Sequence, residues 1–121
     1  MAEGNNKQYD LEERTYEFAR EVREFVKILP RTVSNLEDVK QLIRASGSVG
    51  ANYIEANESL SKRDFLMHAK ISRKEAKESR YFLRLLNTSG KSDLESKRTA
   101  LIQESTELMN ILGAIIRKSE P

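Results

Sequence analysis

The sequence predicts an all-α protein, an antiparallel up-down-up-down four-helix bundle. Three observations support this fold class: a helix-rich composition, four helix-start signals, and apolar residues at helical spacing between those signals. Of the 121 residues, 33% are charged, 7% are aromatic and only two are proline, which is typical of helical proteins. Because the predicted connections are short, sequential helices should lie antiparallel.

Each predicted helix starts at a sequence that resembles a capping box, in which a Ser or Asp caps the first turn and an acid three residues later reaches back. The four pairs are Asp10 with Glu13, Ser34 with Glu37, Ser61 with Asp64, and Ser92 with Glu95. The acids also suit the positive end of a helix dipole. Four such starts predict four helices.

Between the starts, apolar residues recur at steps of three, four or seven. The first helix should run from about Leu11 to Leu29, where Pro30 ends it, and the second should end near Glu58. A Gly stop follows the third helix at Gly90. This third helix has the most regular heptad pattern, formed by Phe65, Ala69, Ser72, Ala76, Ser79, Leu83 and Leu86.

The chain should form one bundle domain over residues 10–121, preceded by a flexible tail of residues 1–9. A chain of this length with 38% apolar residues can bury a core without a metal or a disulfide, and it contains no cysteine to supply either. No apolar run approaches the roughly 20 residues that cross a bilayer, and the start lacks a secretory signal. We therefore expect a cytoplasmic protein with no membrane partner.

The stretch ASGSVGAN, residues 45–52, has the glycines of a phosphate-binding loop but none of the spacings that such loops or a nucleophile elbow require. The helical pattern of the second helix continues through it. We interpret Gly47, Gly50 and Ala51 as part of a thin helix surface that permits close packing, within the bundle or between subunits. The small residues of the third helix would form a second such surface.

Residues 44–86 carry a family resemblance. Its carriers are Arg44, Ser48, Val49, Gly50, Ala51, Asn52, Glu55, Ala56, Ser61, Lys62, Asp64, Phe65, Glu75, Glu78, Ser79, Tyr81, Leu83 and Leu86. This region resembles the bacterial four-helix-bundle family that includes proteins encoded in intervening sequences of the large-subunit ribosomal RNA gene. The resemblance implies a bundle that assembles as a ring, typically a homopentamer, with no established catalytic activity. More distantly, the chain is similar to the accessory proteins of diversity-generating retroelements, basic pentamers that partner a reverse transcriptase and nucleic acid.

The third helix is the most basic part of the chain. Its candidate nucleic-acid-binding residues are Arg63, Lys70, Arg73, Lys74, Lys77 and Arg84. Repeated around a ring, this face could bind a phosphate backbone of RNA or DNA. Two alternatives remain: a solvated face with local ion pairs such as Lys74 with Glu78, or pairing with the acids of the first helix, Glu13, Glu17, Glu21 and Glu24.

Two further groups suggest contacts rather than chemistry. Arg44, Asn52 and Glu55 lie near the small-residue segment, where polar side chains should pair and fix helix or subunit arrangement, although a binding role is an alternative. In the fourth helix, a second apolar line suggests either a partner surface or simply a wide core-facing stripe. This line consists of Ile102, Met109 and Ile116.

Catalysis and metal binding have little support. The chain has one histidine, His68, whereas a di-iron bundle needs Glu-x-x-His twice. We therefore predict no enzyme activity, metal, cofactor or small-molecule substrate. The sequence favours a self-assembling scaffold or accessory factor that binds RNA, DNA or a nucleic-acid enzyme; the alternative is a protein-interaction module without a nucleic-acid role.

Overall fold

A computed structural model describes residues 11–120, in which four α-helices and no strands occur. The helices are α1 (Leu11–Lys27), α2 (Val33–Asn57), α3 (Lys62–Leu85) and α4 (Ser92–Ser119). Each helix packs on the next, and α4 also packs on α1. The pairs α1/α3 and α2/α4 lie on diagonals, where no two Cα atoms approach within 8 Å. The predicted four-helix bundle is confirmed. The predicted tail and the Asp10 cap lie outside the described residues.

The helix starts agree only in part with the predicted capping boxes. Ser61 caps α3 as predicted, accepting a hydrogen bond from the Asp64 amide at 3.1 Å. The prediction for Ser34 is wrong, because Thr32 caps α2 and accepts from the Asn35 amide at 3.1 Å. The prediction for Ser92 is also wrong: α4 begins at that residue, and no side chain caps it.

The end of α1 comes two residues earlier than predicted. The amides of Ile28 and Leu29 bond to the carbonyls three residues before them, at 3.2 and 3.5 Å. The chain therefore tightens out of the α-helix ahead of Pro30. Leu29 remains buried, with 6% of its surface exposed, so the apolar stripe extends past the helix itself.

The predicted stripes of α1, α3 and α4 form the core. The stripe that the sequence predicts for α2, through Leu36 and Ile54, is wrong, because both side chains are exposed. That helix buries Leu42 and Val49 instead. Small residues line the contact of α2 with α3, where Ala45, Ala69 and Ala76 are fully buried. The Ser72 hydroxyl donates to the Val49 carbonyl of α2 at 2.6 Å, which shows how closely the two helices approach. The larger core side chains are Phe18, Val22, Phe25, Leu42, Leu83, Leu101, Leu108 and Leu112.

Asn35 joins the two loops at one end of the bundle. Its buried side-chain amide donates to the carbonyls of Pro30 and Asn87 at 2.9 and 2.8 Å, and its oxygen accepts from the Asn87 amide at 2.9 Å. A buried amide with all these groups satisfied fixes the relative position of the loops. Within residues 11–120, no helix is long and apolar enough to cross a membrane.

Candidate nucleic-acid interface

A basic groove runs between α3 and α4. Because the two helices are antiparallel, the first part of α3 lies beside the last part of α4. The groove has a volume of about 510 Å³. Its lining residues are Lys70, Arg73, Lys74, Lys77, Met109, Asn110, Gly113 and Arg117. Five of these eight are cationic and none is acidic, so the groove has the electrostatic character that attracts a polyanion.

The cations of the groove are largely uncompensated. Lys70 forms an ion pair with Glu120 at 3.0 Å, with both side chains about half exposed. In the described part of the chain, Arg73, Lys74, Lys77 and Arg117 have no carboxylate within 4.0 Å. All four side chains are exposed, and only Lys74 lies near enough to carboxylates, those of Glu75 and Glu78, to favour their ionised forms.

The structure brings together only four of the six predicted binding residues: Lys70, Arg73, Lys74 and Lys77. Arg63 lies in a separate hollow with Leu66 and Met67, which also touches Lys70, and Arg84 does not line the groove. A straight α-helix drifts about 20° per heptad, so residues seven apart leave a common line over three heptads.

Sequence reasoning missed the contribution of α4. Arg117 and Asn110 line the groove, but the sequence prediction places the binding residues on α3 alone. The antiparallel order places the end of α4 beside the start of α3, and this could have identified Arg117 as a neighbour of Lys70 and Arg73.

Both proposed pairings of the basic face with nearby acids are wrong. Among residues 11–120, no acid of α1 forms an ion pair with α3, which lies diagonally across the bundle. Instead, Arg14 joins α1 to α4 by binding Glu104 at 2.7 Å. Lys74 and Glu78 form no ion pair within 4.0 Å; Glu78 pairs with Arg44 of α2 at 3.1 Å. The basic face thus stays available on the side facing α4.

Arg44 belongs to a polar cluster with Glu75 and Glu78. Its guanidinium lies 3.6 Å from Glu75 and 3.1 Å from Glu78. Glu75 is buried, and its Oε1 has no hydrogen-bond partner. Burial, followed by the interaction with Glu78, raises the pKa of Glu75 above its usual range. The hydrogen bonds of Glu78 with Glu75 and Arg44 lower the pKa of Glu78, so Glu75 is the carboxyl of the pair that takes up a proton first as pH falls.

The other predicted polar residues have different environments. Asn52 is half-buried; its amide donates to the Ser48 carbonyl at 3.0 Å, and its oxygen lies 3.3 Å from His68 Nδ1, which donates in that contact. Glu55 is exposed, so the expectation that it pairs with a polar side chain at a close helix contact is wrong. The buried carboxylate of this region is Glu75, which sequence reasoning did not single out as structural.

The predicted packing residues face several surfaces. A Cβ at Gly50 would lie 2.7 Å from Thr15 Oγ1 of α1, whereas one at Gly47 would only touch Arg23 at 3.5 Å. Ala51 is exposed in an apolar groove of about 430 Å³ between α1 and α2. The close approach at Gly50 is therefore to α1, within one chain.

The second apolar line of α4 lies mostly against the core. Ile116 is buried, with 3% exposure, and Ile102 and Met109 are partly buried against core residues. For Ile116 the partner-surface interpretation is wrong, because the bundle already covers it. Met109 borders the basic groove.

Comparison with known proteins places this bundle in a family. Residues 2–114 match the model of the 23S rRNA-intervening sequence protein family, and the chain belongs to that family. It is similar to the crystal structure of a protein of unknown function from the S23 ribosomal protein family of Bacteroides thetaiotaomicron, with 30% identity, 87% of this chain and 96% of that chain covered, and a TM-score of 0.75. None of the curated proteins matches.

Proposed function

We propose that the protein is a non-enzymatic scaffold or accessory factor that self-assembles and binds the phosphate backbone of RNA or DNA through the groove between α3 and α4. The observation that carries this proposal is the set of five cations lining one groove without an acidic neighbour in its lining. The family resemblance supports a ring, typically a homopentamer, in which each subunit repeats the groove.

The groove suits backbone binding rather than base recognition. Lysine and arginine contacts to phosphates release counterions and are independent of sequence. The nearby aromatic residues, Tyr81 and Phe82, contact each other edge to face at 5.2 Å and do not line the groove. We therefore expect binding with little base preference and a strong dependence on salt.

Salt titration tests this proposal. The affinity of the full chain for a fluorescent single-stranded RNA, and for DNA of the same sequence, would be measured by fluorescence anisotropy. With three to five phosphate contacts, affinity should fall roughly tenfold to a hundredfold between about 50 and 200 mM salt. The proposal would be contradicted if neither nucleic acid binds at low salt, or if the affinity does not change with salt concentration.

Self-assembly requires a separate measurement. Light scattering should give a solution mass about five times that of the chain at both low and high salt, because apolar interfaces are little affected by screening. A monomer at all protein concentrations would contradict the ring.

The second candidate function is a protein-interaction module. A specific observation favours it: Tyr16 and Ile54, in the apolar groove between α1 and α2, are 59% and 45% exposed, and exposed apolar clusters often mark interfaces. Replacing both by Gln should then abolish assembly or partner binding. Under this alternative, the basic groove binds no RNA even at low salt.

A further inference from the structure

Gly113 lies at the bottom of the basic groove, beneath two arginines. It is buried in α4. A Cβ at this position would lie 3.3 Å from Nη1 of Arg117, one turn along the same helix, and 3.6 Å from Nη1 of Arg73, on α3. Both guanidinium groups therefore converge on one bare patch of backbone.

The convergence is electrostatically unfavourable in the absence of an anion. Within residues 11–120, neither Arg73 nor Arg117 has a carboxylate within 4.0 Å. Lys74 and Lys77 line the same groove and add to the positive potential. An anion bound between the guanidiniums would relieve the repulsion between like charges.

The chemistry of arginine indicates which anion. A guanidinium is a planar fork that donates two parallel hydrogen bonds to a phosphate, whereas a lysine acts as a point charge. Asn110, one turn before Gly113, supplies a further amide in the same groove. Two forks and an amide can surround the tetrahedral oxygens of one phosphate.

We propose that Arg73 and Arg117, converging over Gly113, form a discrete site for a single phosphate group. The proposal rests on the proposed function, because we expect the phosphate to belong to a bound nucleic-acid backbone. The groove lysines contribute charge alone, and the two arginines fix one phosphate in place. Free inorganic phosphate presents the same oxygens and is the alternative source.

Gly113 is part of this site because it lacks a side chain. A methyl group at position 113 would press on the flexible end of Arg117 at 3.3 Å, would make an ordinary contact with Arg73 at 3.6 Å, and would not meet the backbone of another helix, so the variant should fold. Alanine is also the better helix former. Gly113→Ala should therefore raise the melting temperature while it weakens phosphate binding, a combination that a purely structural glycine would not produce.

The central test replaces both guanidinium groups but keeps their positive charge. The full-length double variant Arg73→Lys, Arg117→Lys should bind single-stranded RNA roughly tenfold more weakly than wild type at one salt concentration, because each fork loses its bidentate bonds. Lys74→Arg, Lys77→Arg is the matched control and should bind at least as well as wild type. If the Arg-to-Lys variant binds RNA as wild type does, the discrete site is wrong, and the proposed groove function still stands.

Inorganic phosphate separates the two sources. At constant ionic strength, it should compete with RNA in wild type but not in Arg73→Lys, Arg117→Lys. If wild type binds no RNA, the proposed function fails. The site would still be supported, with free phosphate as its ligand, if phosphate raises the melting temperature of wild type but not of Arg73→Lys, Arg117→Lys. No RNA binding and no stabilisation by phosphate would overturn the site itself.

Discussion

Gly50 packs against Thr15 where α1 meets α2. A Cβ at position 50 would lie 2.7 Å from Thr15 Oγ1 and 3.2 Å from its Cβ, and the hydroxyl already donates to the Glu12 carbonyl at 2.9 Å. Gly50→Ala should therefore lower the free energy of unfolding by about 1–3 kcal/mol, the usual cost of overpacking. Urea denaturation measures this loss.

Gly47 provides the matched control in the same helix. A Cβ there would make only an ordinary contact, 3.5 Å from the Arg23 guanidinium. Gly47→Ala should leave stability unchanged or raise it by up to about 1 kcal/mol, because alanine favours the helix. Equal effects of the two substitutions would show that contact with Thr15 does not determine the requirement for glycine.

The Glu75 and Glu78 pair should give opposite pH dependences. The raised pKa of Glu75 means that its contribution to stability is present below the unfolded-state pKa and is lost as pH rises through its folded-state pKa. Glu75→Gln should therefore gain stability relative to wild type as pH rises from 4 toward neutral. The pKa of Glu78 is lowered, so Glu78→Gln should cost stability at neutral pH and little at low pH.

Denaturant unfolding of both variants at a series of pH values measures this contrast. Parallel pH profiles for the two variants would contradict the opposite pKa shifts of Glu75 and Glu78. The sequence could not predict this pair, because the burial of Glu75 depends on α2 packing over it. It did indicate that Arg44 pairs with a polar side chain, and the structure shows that α3 supplies the carboxylates.

At the scale of the helices, the start of α2 gives a direct comparison of two candidate caps. Thr32 accepts from the Asn35 amide, whereas Ser34 lies within the helix. Thr32→Ala should destabilise the protein by about 1 kcal/mol, the typical cost of losing a cap. Ser34→Ala should change stability by less than about 0.5 kcal/mol. Thermal melts of both variants suffice, and a larger loss for the Ser34 variant would contradict the structure.

The helices themselves were predictable, but their ends were less so. Regular apolar spacing identifies a helix over many residues, and burial of Phe18, Val22 and Phe25 follows from it. A cap depends on the backbone of one residue: Thr32 is extended, with φ −79° and ψ 163°. Both Thr32 and Ser34 carry a suitable hydroxyl, and the sequence pattern favoured the wrong one.

At the scale of the whole molecule, the basic groove depends on which helices are neighbours. The charges of α3 were evident from its sequence, but Arg117 joins Arg73 only because α4 runs antiparallel beside α3. The same arrangement separates α3 from α1 and so removes the acids that could have neutralised it. The sequence of α3 indicated a basic face, and the packing of α4 beside α3 places part of that face in a groove.

The most direct test of nucleic-acid binding compares two pairs of basic residues on the same helix. Lys74→Gln, Lys77→Gln removes two charges from the groove, and Arg63→Gln, Arg84→Gln removes two charges outside it. In RNA-binding titrations at several salt concentrations, the groove variant should lose about tenfold in affinity, and its salt slope should fall by roughly 1.4 for two lost phosphate contacts. The outer variant should retain wild-type affinity within about threefold. Equal losses in the two variants, or no loss in the groove variant, would contradict binding through the α3–α4 groove.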